Sequence, residues 1–255
     1  MAATATALRQ KNSDCDWGQF DSAAYQQHNY ATLRGDDARI LGIVRDWFRT
    51  AVPAGTRLHG IDVGTGSNLY PALALAPHCE WITLSEYSTA NVTWLHETLE
   101  HIPDEWKPYW SVLNERGDLV DWDLAKSEIA STTAVQQRSI FRLPLERWDI
   151  GTMAFVADCL TADPAEFEQA LGCFLGALKP GAPFVAAFME NSHGYRVGDT
   201  WFPAVPLTGP MVGAALTRSG AADGFIVHRV DIDPAPIRAG YSGYLVATGR
   251  SRGTV

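Results

Sequence analysis

Three groups of residues have types and spacings suited to chemistry. The first is HGIDVGTGSNLYP, residues 59–71. Ile61 to Val63, with Asp62 between them, deliver the chain into Gly64, Thr65 and Gly66, then Ser67, Asn68, Leu69 and Tyr70. Two glycines one residue apart, after a strand and before a helix, let the backbone turn tightly and approach a ligand with no Cβ in the way. The second group is TLSEY, whose Glu86 lies about 20 residues past the glycines, where an acid accepts hydrogen bonds from two ribose hydroxyls. The third is a scatter of polar and aromatic side chains. Tyr25 and Tyr30 lie in DSAAYQQHNY, and Glu190, His193, Tyr195 and Asp199 lie in ENSHGYRVGD.

The glycine turn narrows the ligand. A dinucleotide fingerprint G-x-G-x-x-G needs a third glycine where Leu69 stands, which disfavours NAD and FAD. No P-loop lysine follows, so ATP chemistry of that type is set aside. A ribose and adenine without a pyrophosphate fit both the turn and Glu86, and S-adenosylmethionine is such a ligand. Methyl transfer from a sulfonium is an in-line displacement, for which a protein mainly supplies position and desolvation. Aromatic faces attract positive charge. Tyr25, Tyr30, Tyr70 and Tyr195 are candidates for such a wall, and each can instead be a core tyrosine; Tyr25 and Tyr30, on a polar helix, are read as site residues. Glu190 is the candidate to orient an amine and take its proton. His193 is the better base for a hydroxyl acceptor, and also reads as an ordinary loop histidine. Asp199 reads as a cap of a turn. The candidate catalytic set is Glu190, His193 and Tyr30.

The elements that must position these groups follow from periodicity. Residues 1–20 read as a flexible start. Asp21 or Ser22 caps a helix carrying Tyr25, His28, Tyr30 and Leu33. Ile40, Leu41, Val44, Trp47 and Phe48 repeat at helical spacing, giving a second helix over about 37–50. Strands are expected at Leu58–Val63, Trp81–Ser85, Ser139–Leu143, Met153–Ala157, Pro183–Phe188, Ile226–Val230 and Gly243–Thr248. Helices are expected at Leu69–Leu75, Thr89–Leu99, Pro164–Leu178 and Pro210–Arg218. Strands alternating with helices mean a doubly wound, mostly parallel α/β sheet. Residues 103–135, rich in tryptophan and acids, read as an elaborated crossover with a short amphipathic helix near 123–130.

Bulk properties exclude several classes. A chain of 255 residues with a net charge of −9 lacks the basic footprint of a general nucleic-acid binder. No apolar run reaches the roughly 18 residues of a membrane span, and the first ten residues have no signal-peptide core. A cytoplasmic location is the expectation. Cys15, Cys79, Cys159 and Cys173 form no C-x-x-C pair, and His96 and His101 are five apart rather than four, so no metal site is expected. ADCLTAD after the fourth strand is no D-P-P-Y motif, which disfavours nucleic-acid base methylation.

Four segments resemble one family, the small-molecule S-adenosylmethionine methyltransferases that include the nicotinamide, phenylethanolamine and thioether enzymes. They are FDSAAYQQHNY (20–30), IDVGTGSNLYPAL (61–73), SEYSTANVTWL (85–95) and ALKPGAPFVAAFMENSHGYRVGDTWFPAVPL (177–207), in family order. The resemblance implies a class I, Rossmann-like seven-stranded sheet over residues 51–255 with an N-terminal helical lid over 1–50, forming one structural unit. It implies that Tyr25 and Tyr30 close over the cofactor's methionine end and the acceptor. Gly64, Thr65 and Gly66 face the methionine moiety, with Asn68 and Tyr70 nearby. Glu86 holds the ribose, Tyr87 and Asn91 contact the adenosine or methionine group, and Ala154 lines the wall. Tyr25, Glu190, His193 and Tyr195 meet the acceptor. The sequence departs from the family after the third strand, where Arg142 and Leu143 stand in place of an acid. The implied activity is methyl transfer to a small molecule, an amine or heteroaromatic nitrogen, by a monomer or homodimer. O- or C-methylation, and a non-catalytic S-adenosylmethionine-binding protein, are the alternatives, with an NAD(P) dehydrogenase behind them.

Overall fold

A computed structural model of the chain describes residues 10–253. The part of the expected flexible start that falls on residues 1–9 lies outside them. Residues 10–20 are built, contrary to expectation, as two short 3-10 turns, Asn12–Asp14 and Trp17–Gln19. They are held because Trp17 stacks on Phe202 at 4.9 Å and its indole N–H donates to Asn12 Oδ1 at 2.9 Å.

Local chemistry sets the helix starts. Asp21 Oδ1 accepts from Ala24 N at 2.9 Å and opens α1 (Ser22–Tyr30). In α2 (Gly35–Ala51), Ile40, Leu41, Val44 and Phe48 fall on one face and are buried. β1 (Leu58–Val63), α3 (Tyr70–Leu75), β2 (Cys79–Glu86) and α4 (Thr89–Glu100) follow. The crossover then adds α5 (Lys107–Leu113) and α6 (Trp122–Thr132), the latter capped by Asp121. β3 (Thr133–Gln137), β4 (Ile150–Ala154), α7 (Pro164–Ala177) and β5 (Pro183–Glu190) continue the alternation. Asp163 caps α7 and Pro164 occupies its first turn. A hairpin of β6 (Gly194–Val197) and β7 (Thr200–Pro203) precedes α8 (Gly209–Ser219), β8 (Ile226–Val230) and β9 (Gly243–Arg250).

The sheet runs β3-β2-β1-β4-β5-β9-β8, with β9 antiparallel to both neighbours and the other pairs parallel. One face buries α2 to α6 and the other buries α7 and α8. Because Ile40, Leu41, Val44 and Phe48 share a cluster with Leu73, Leu84 and Val246, α2 belongs to the same core as the sheet. Trp106, Trp110 and Trp122 of the crossover are buried there too. No helix among the described residues is long and apolar enough to cross a membrane.

Two elements differ from expectation. The third strand is Thr133–Gln137, not Ser139–Leu143; Ile140–Arg142 form a 3-10 turn capped by Ser139. β3 is an edge strand, half-buried and polar, so hydrophobicity does not mark it. The apolar run beyond it packs against α7 instead. The fourth strand ends at Ala154 because Phe155 turns the backbone at φ 59°. The β6–β7 hairpin has no counterpart in the sequence reading.

Candidate active site

The carboxyl ends of β1, β2 and β4 meet at the point where strand order reverses, and ligands of open α/β sheets bind there. Gly64 and Gly66 both have positive φ, 66° and 59°. At Gly64 a side chain is also sterically barred, since a Cβ would sit 2.6 Å from both methyls of Val156. Gly64 N donates to Ser85 O at 2.7 Å, which pins the turn to the end of β2. Asn68 Oδ1 accepts from Tyr70 N at 3.1 Å and starts α3. Leu69, where a dinucleotide site needs its third glycine, is a buried core residue.

Glu86 is buried at the end of β2. Its Oε1 accepts from Tyr87 N and Ser88 N, both at 2.7 Å, and its Oε2 from Gly66 N at 2.8 Å. Burial pushes its carboxyl upward, and the three amides oppose that. The Asn91 side chain also hydrogen-bonds to this carboxyl and, like the three amides, favours its charged form. Asn91, also buried, accepts from Ser22 Oγ at 2.6 Å and so links α4 to the start of α1. Glu86→Ala is expected to weaken S-adenosylhomocysteine binding by about 1–3 kcal/mol, the cost of losing a charged acceptor. Unchanged affinity in a calorimetric titration removes Glu86 from the site.

These groups line one cavity that opens to solvent. Gly64, Thr65, Gly66 and Asn68 form its floor, and Tyr87, Asn91 and Ala154 contribute to its sides. Two buried hydroxyls on its wall, Ser67 Oγ and Ser85 Oγ, have no hydrogen-bond partner among the described residues. A cradle that excludes a Cβ, a buried acid at the end of β2 and two unpartnered hydroxyls suit a polar nucleoside with an amino-acid tail. At the far side stand Arg138, Ser139 and Ile140. They replace Arg142 and Leu143 at the end of the third strand, and no acid stands among them.

An aromatic wall closes the other side. Tyr25 lies 5.1 Å from Phe20, 6.0 Å from Tyr30 and 6.3 Å from Tyr195, ring centre to ring centre. Tyr195, on β6, stacks on Phe202 at 5.5 Å. Tyr30 is buried against Tyr70 and Trp106 while still lining the cavity. Tyr70 is corrected: it lines neither this cavity nor the next. It packs behind Tyr30 and stacks on Tyr109 at 5.8 Å.

Beyond the wall lies a second cavity, which shares Tyr25, Tyr30, Phe155 and Tyr195 with the first. Arg34, Asp37, Arg196, Arg238 and Tyr244 also line it. Asp37 is buried, and burial together with neighbouring Asp36 pushes its carboxyl up to about 7 despite Arg34. Two expected acceptor residues are elsewhere. Glu190 is tied to Arg229 Nε at 2.9 Å and accepts from Ser242 Oγ at 2.8 Å, outside both cavities. His193 is exposed and lines neither. The bend at Asn191, φ 57°, carries the chain away from β5 before His193 is reached.

Sequence reasoning missed Trp17, Phe20, Phe155, Asp37 and Arg238. Trp17 and Phe20 stand close to the tyrosine helix, and that spacing could have marked them. Asp37 and Arg238 are about 200 residues apart and carry no local signal.

This glycine-turn cavity at the switch point of a seven-stranded doubly wound sheet defines a class I S-adenosylmethionine-dependent methyltransferase. The chain belongs to the NNMT/PNMT/TEMT family, whose profile matches residues 10–233. It is 26% identical to human (Homo sapiens) phenylethanolamine N-methyltransferase over 226 residues, covering 79% of this chain and 78% of the relative. It is 25% identical to human nicotinamide N-methyltransferase over 170 residues, covering 63% of this chain and 64% of that one. Among solved structures, a methyltransferase from Methanosarcina mazei superimposes with a TM-score of 0.56 at 13% identity, covering 83% of this chain and 98% of its own. The Burkholderia thailandensis 1,6-didemethyltoxoflavin-N1-methyltransferase, solved with its acceptor and S-adenosylhomocysteine, gives 0.50 at 16% identity, covering 84% and 79%. Those two structural likenesses show the fold.

Proposed function

We propose that this chain methylates a nitrogen of a small amine or heteroaromatic acceptor held in the second cavity. The observation that supports this most is the shared wall of Tyr25, Tyr30, Phe155 and Tyr195, where molecules in the two cavities would meet. The relatives named above are N-methyltransferases by name. S-adenosylmethionine, when bound, supplies an electrophilic methyl group on a sulfonium. The glycine turn with Thr65 and Asn68 holds its amino-acid end, Glu86 its ribose, and Tyr87, Asn91 and Ala154 flank it. The chain's own contribution is orientation, exclusion of water by the aromatic wall, and stabilisation of positive charge by ring faces.

An amine must present a free lone pair. With Glu190 and His193 outside the cavities, Asp37 is the carboxyl placed to orient the nitrogen and take its proton. A group near neutrality suits that work. The test is transfer of label from methyl-labelled S-adenosylmethionine to a panel of aromatic amines and pyridines, followed across pH. We expect N-methyl product, and kcat/KM rising with pH through an inflection near 7 that Asp37→Asn removes. Label on oxygen or carbon, or bound cofactor with no transfer to any nitrogen, refutes the reading.

A further inference from the structure

Arg238 is an unusual presence in a cavity meant for an amine. It lies on the segment between β8 and β9, and its guanidinium reaches back into the second cavity. There it sits 5.2 Å from the ring centre of Tyr195 and 5.7 Å from that of Tyr241. Nη1 donates to Gly194 O, and Nη2 to Ser192 Oγ at 3.2 Å, with Met189 Sδ at 2.7 Å. These contacts fix the plane of the fork but engage only three of its five N–H groups. None of them is to a charge.

No direct ion pair ties it to the other charges around the cavity among the described residues. Arg34 is spent on Asp36, with two hydrogen bonds of 3.0 Å. Arg196 is exposed and donates to Asp199 O at 3.3 Å. Asp37 is the one carboxyl on the cavity wall among the described residues, and it makes no direct ion pair with Arg238. Asp158 lies beneath the wall, where its Oδ2 accepts from Met189 N at 2.9 Å; Arg238 is near enough to favour its charged form, but the two make no direct ion pair among the described residues. Three arginines thus face one carboxyl in a protein whose net charge is −9. A cationic fork held over aromatic rings, with donors to spare, is suited to receive a planar anion.

We propose that the methyl acceptor carries a carboxylate, and that Arg238 is the residue that binds it. The named relatives act on phenylethanolamine and nicotinamide, neither a carboxylate, so this cavity selects a different acceptor class. The inference rests on the second cavity being the acceptor site, as proposed above. Specificity would follow from Arg238 making its remaining donors available only to an anion, while an amine lacking one leaves the guanidinium unpaired.

The test uses matched pairs: benzylamine and 4-(aminomethyl)benzoate, phenylethylamine and phenylalanine, tryptamine and tryptophan. Each is titrated by calorimetry into the protein loaded with S-adenosylhomocysteine. We expect at least one carboxylate member to bind tenfold or more tighter than its partner. Arg238→Met should bring that ratio to about one, and Arg238→Lys should leave it between. Taking a ratio cancels any loosening of the β6–β7 hairpin, which would weaken both members alike. The affinity for S-adenosylhomocysteine reports separately on the methyltransferase reading. If the nucleoside binds but the amines equal or exceed the carboxylates, or no carboxylate binds, or the ratio survives Arg238→Met, the proposal is overturned.

Discussion

Gly64→Ala is expected to cost about 2–5 kcal/mol of folding stability and to weaken S-adenosylhomocysteine binding at least tenfold. Two costs add. A residue with a Cβ at φ 66° pays about 1–2 kcal/mol. The new methyl would also lie 2.6 Å from Val156 Cγ1 and Cγ2, and such overpacking costs about 1–3 kcal/mol. Relief of that clash must move either the glycine turn or Val156, and both line the cofactor cavity. Gly66→Ala is the control. Its φ is similar, 59°, but the nearest heavy atom to its Cβ is 3.8 Å away, so only the backbone cost applies. Adding Val156→Ala to Gly64→Ala removes both clashing methyls and should recover most of the overpacking share. Urea denaturation and calorimetry on the four proteins decide it. Equal losses for the two glycine variants would show that Val156 does not enforce the turn.

That prediction rests on a feature half visible in the sequence. The turn, its helix and Glu86 were legible because each is a local pattern on one short stretch of chain, and a short stretch fixes its own backbone. What Gly64 must avoid was not legible, because Val156 arrives from the end of β4, about 90 residues on. Strands could be read where they are buried on both sides, as in β1 and β5. It failed for β3, an edge strand whose polar residues give no hydrophobic signal. The same distinction divides the site. The glycine turn, Glu86 and Asn91, proposed to meet the cofactor, come from two adjacent strand ends and a neighbouring helix. The second cavity is assembled from α1, α2, the β6–β7 hairpin and the segment before β9. Glu190 and His193 were sensible choices by residue type, but orientation beyond β5 depends on a bend at Asn191 that type does not reveal.

The ligand-free protein should lose about 2 kcal/mol of stability between pH 6 and pH 8, the reverse of what paired carboxylates produce. Burial pushes the carboxyls of Asp37 and Asp62 from 3.8 to about 7, and that of Asp158 to about 6. Thr152 Oγ1 donates to Asp62 Oδ1 at 2.7 Å, and Thr65 also favours the charged form, but Asp62 Oδ2 has no hydrogen-bond partner within 3.5 Å among the described residues, and Glu86 stands near enough to add repulsion. Asp37 has Asp36 beside it, only partly offset by Arg34. The sign follows from these raised values. Above the unfolded value of 3.8 the unfolded chain has released these protons, while the folded chain holds them up to about 7. Proton binding therefore stabilises the fold at pH 6, and that stabilisation is lost as pH rises through 7. Asp37 and Asp62 each contribute about 1.4 kcal/mol over this range, and Asp158 a few tenths. His78 opposes them. Burial lowers it from 6.5 to about 4, so the unfolded chain gains a proton there that the folded chain refuses. That penalty fades above pH 6 and returns about 1 kcal/mol. Urea midpoints at pH 6, 7 and 8 measure the net slope, and an Asp37→Asn, Asp62→Asn double variant should flatten it. A wild-type stability that holds steady or rises from pH 6 to 8 would mean these carboxyls are ionised in the folded protein. Asp37 would then stand in the acceptor cavity as a permanent anion opposite Arg238, and its part in proton removal would have to be given up.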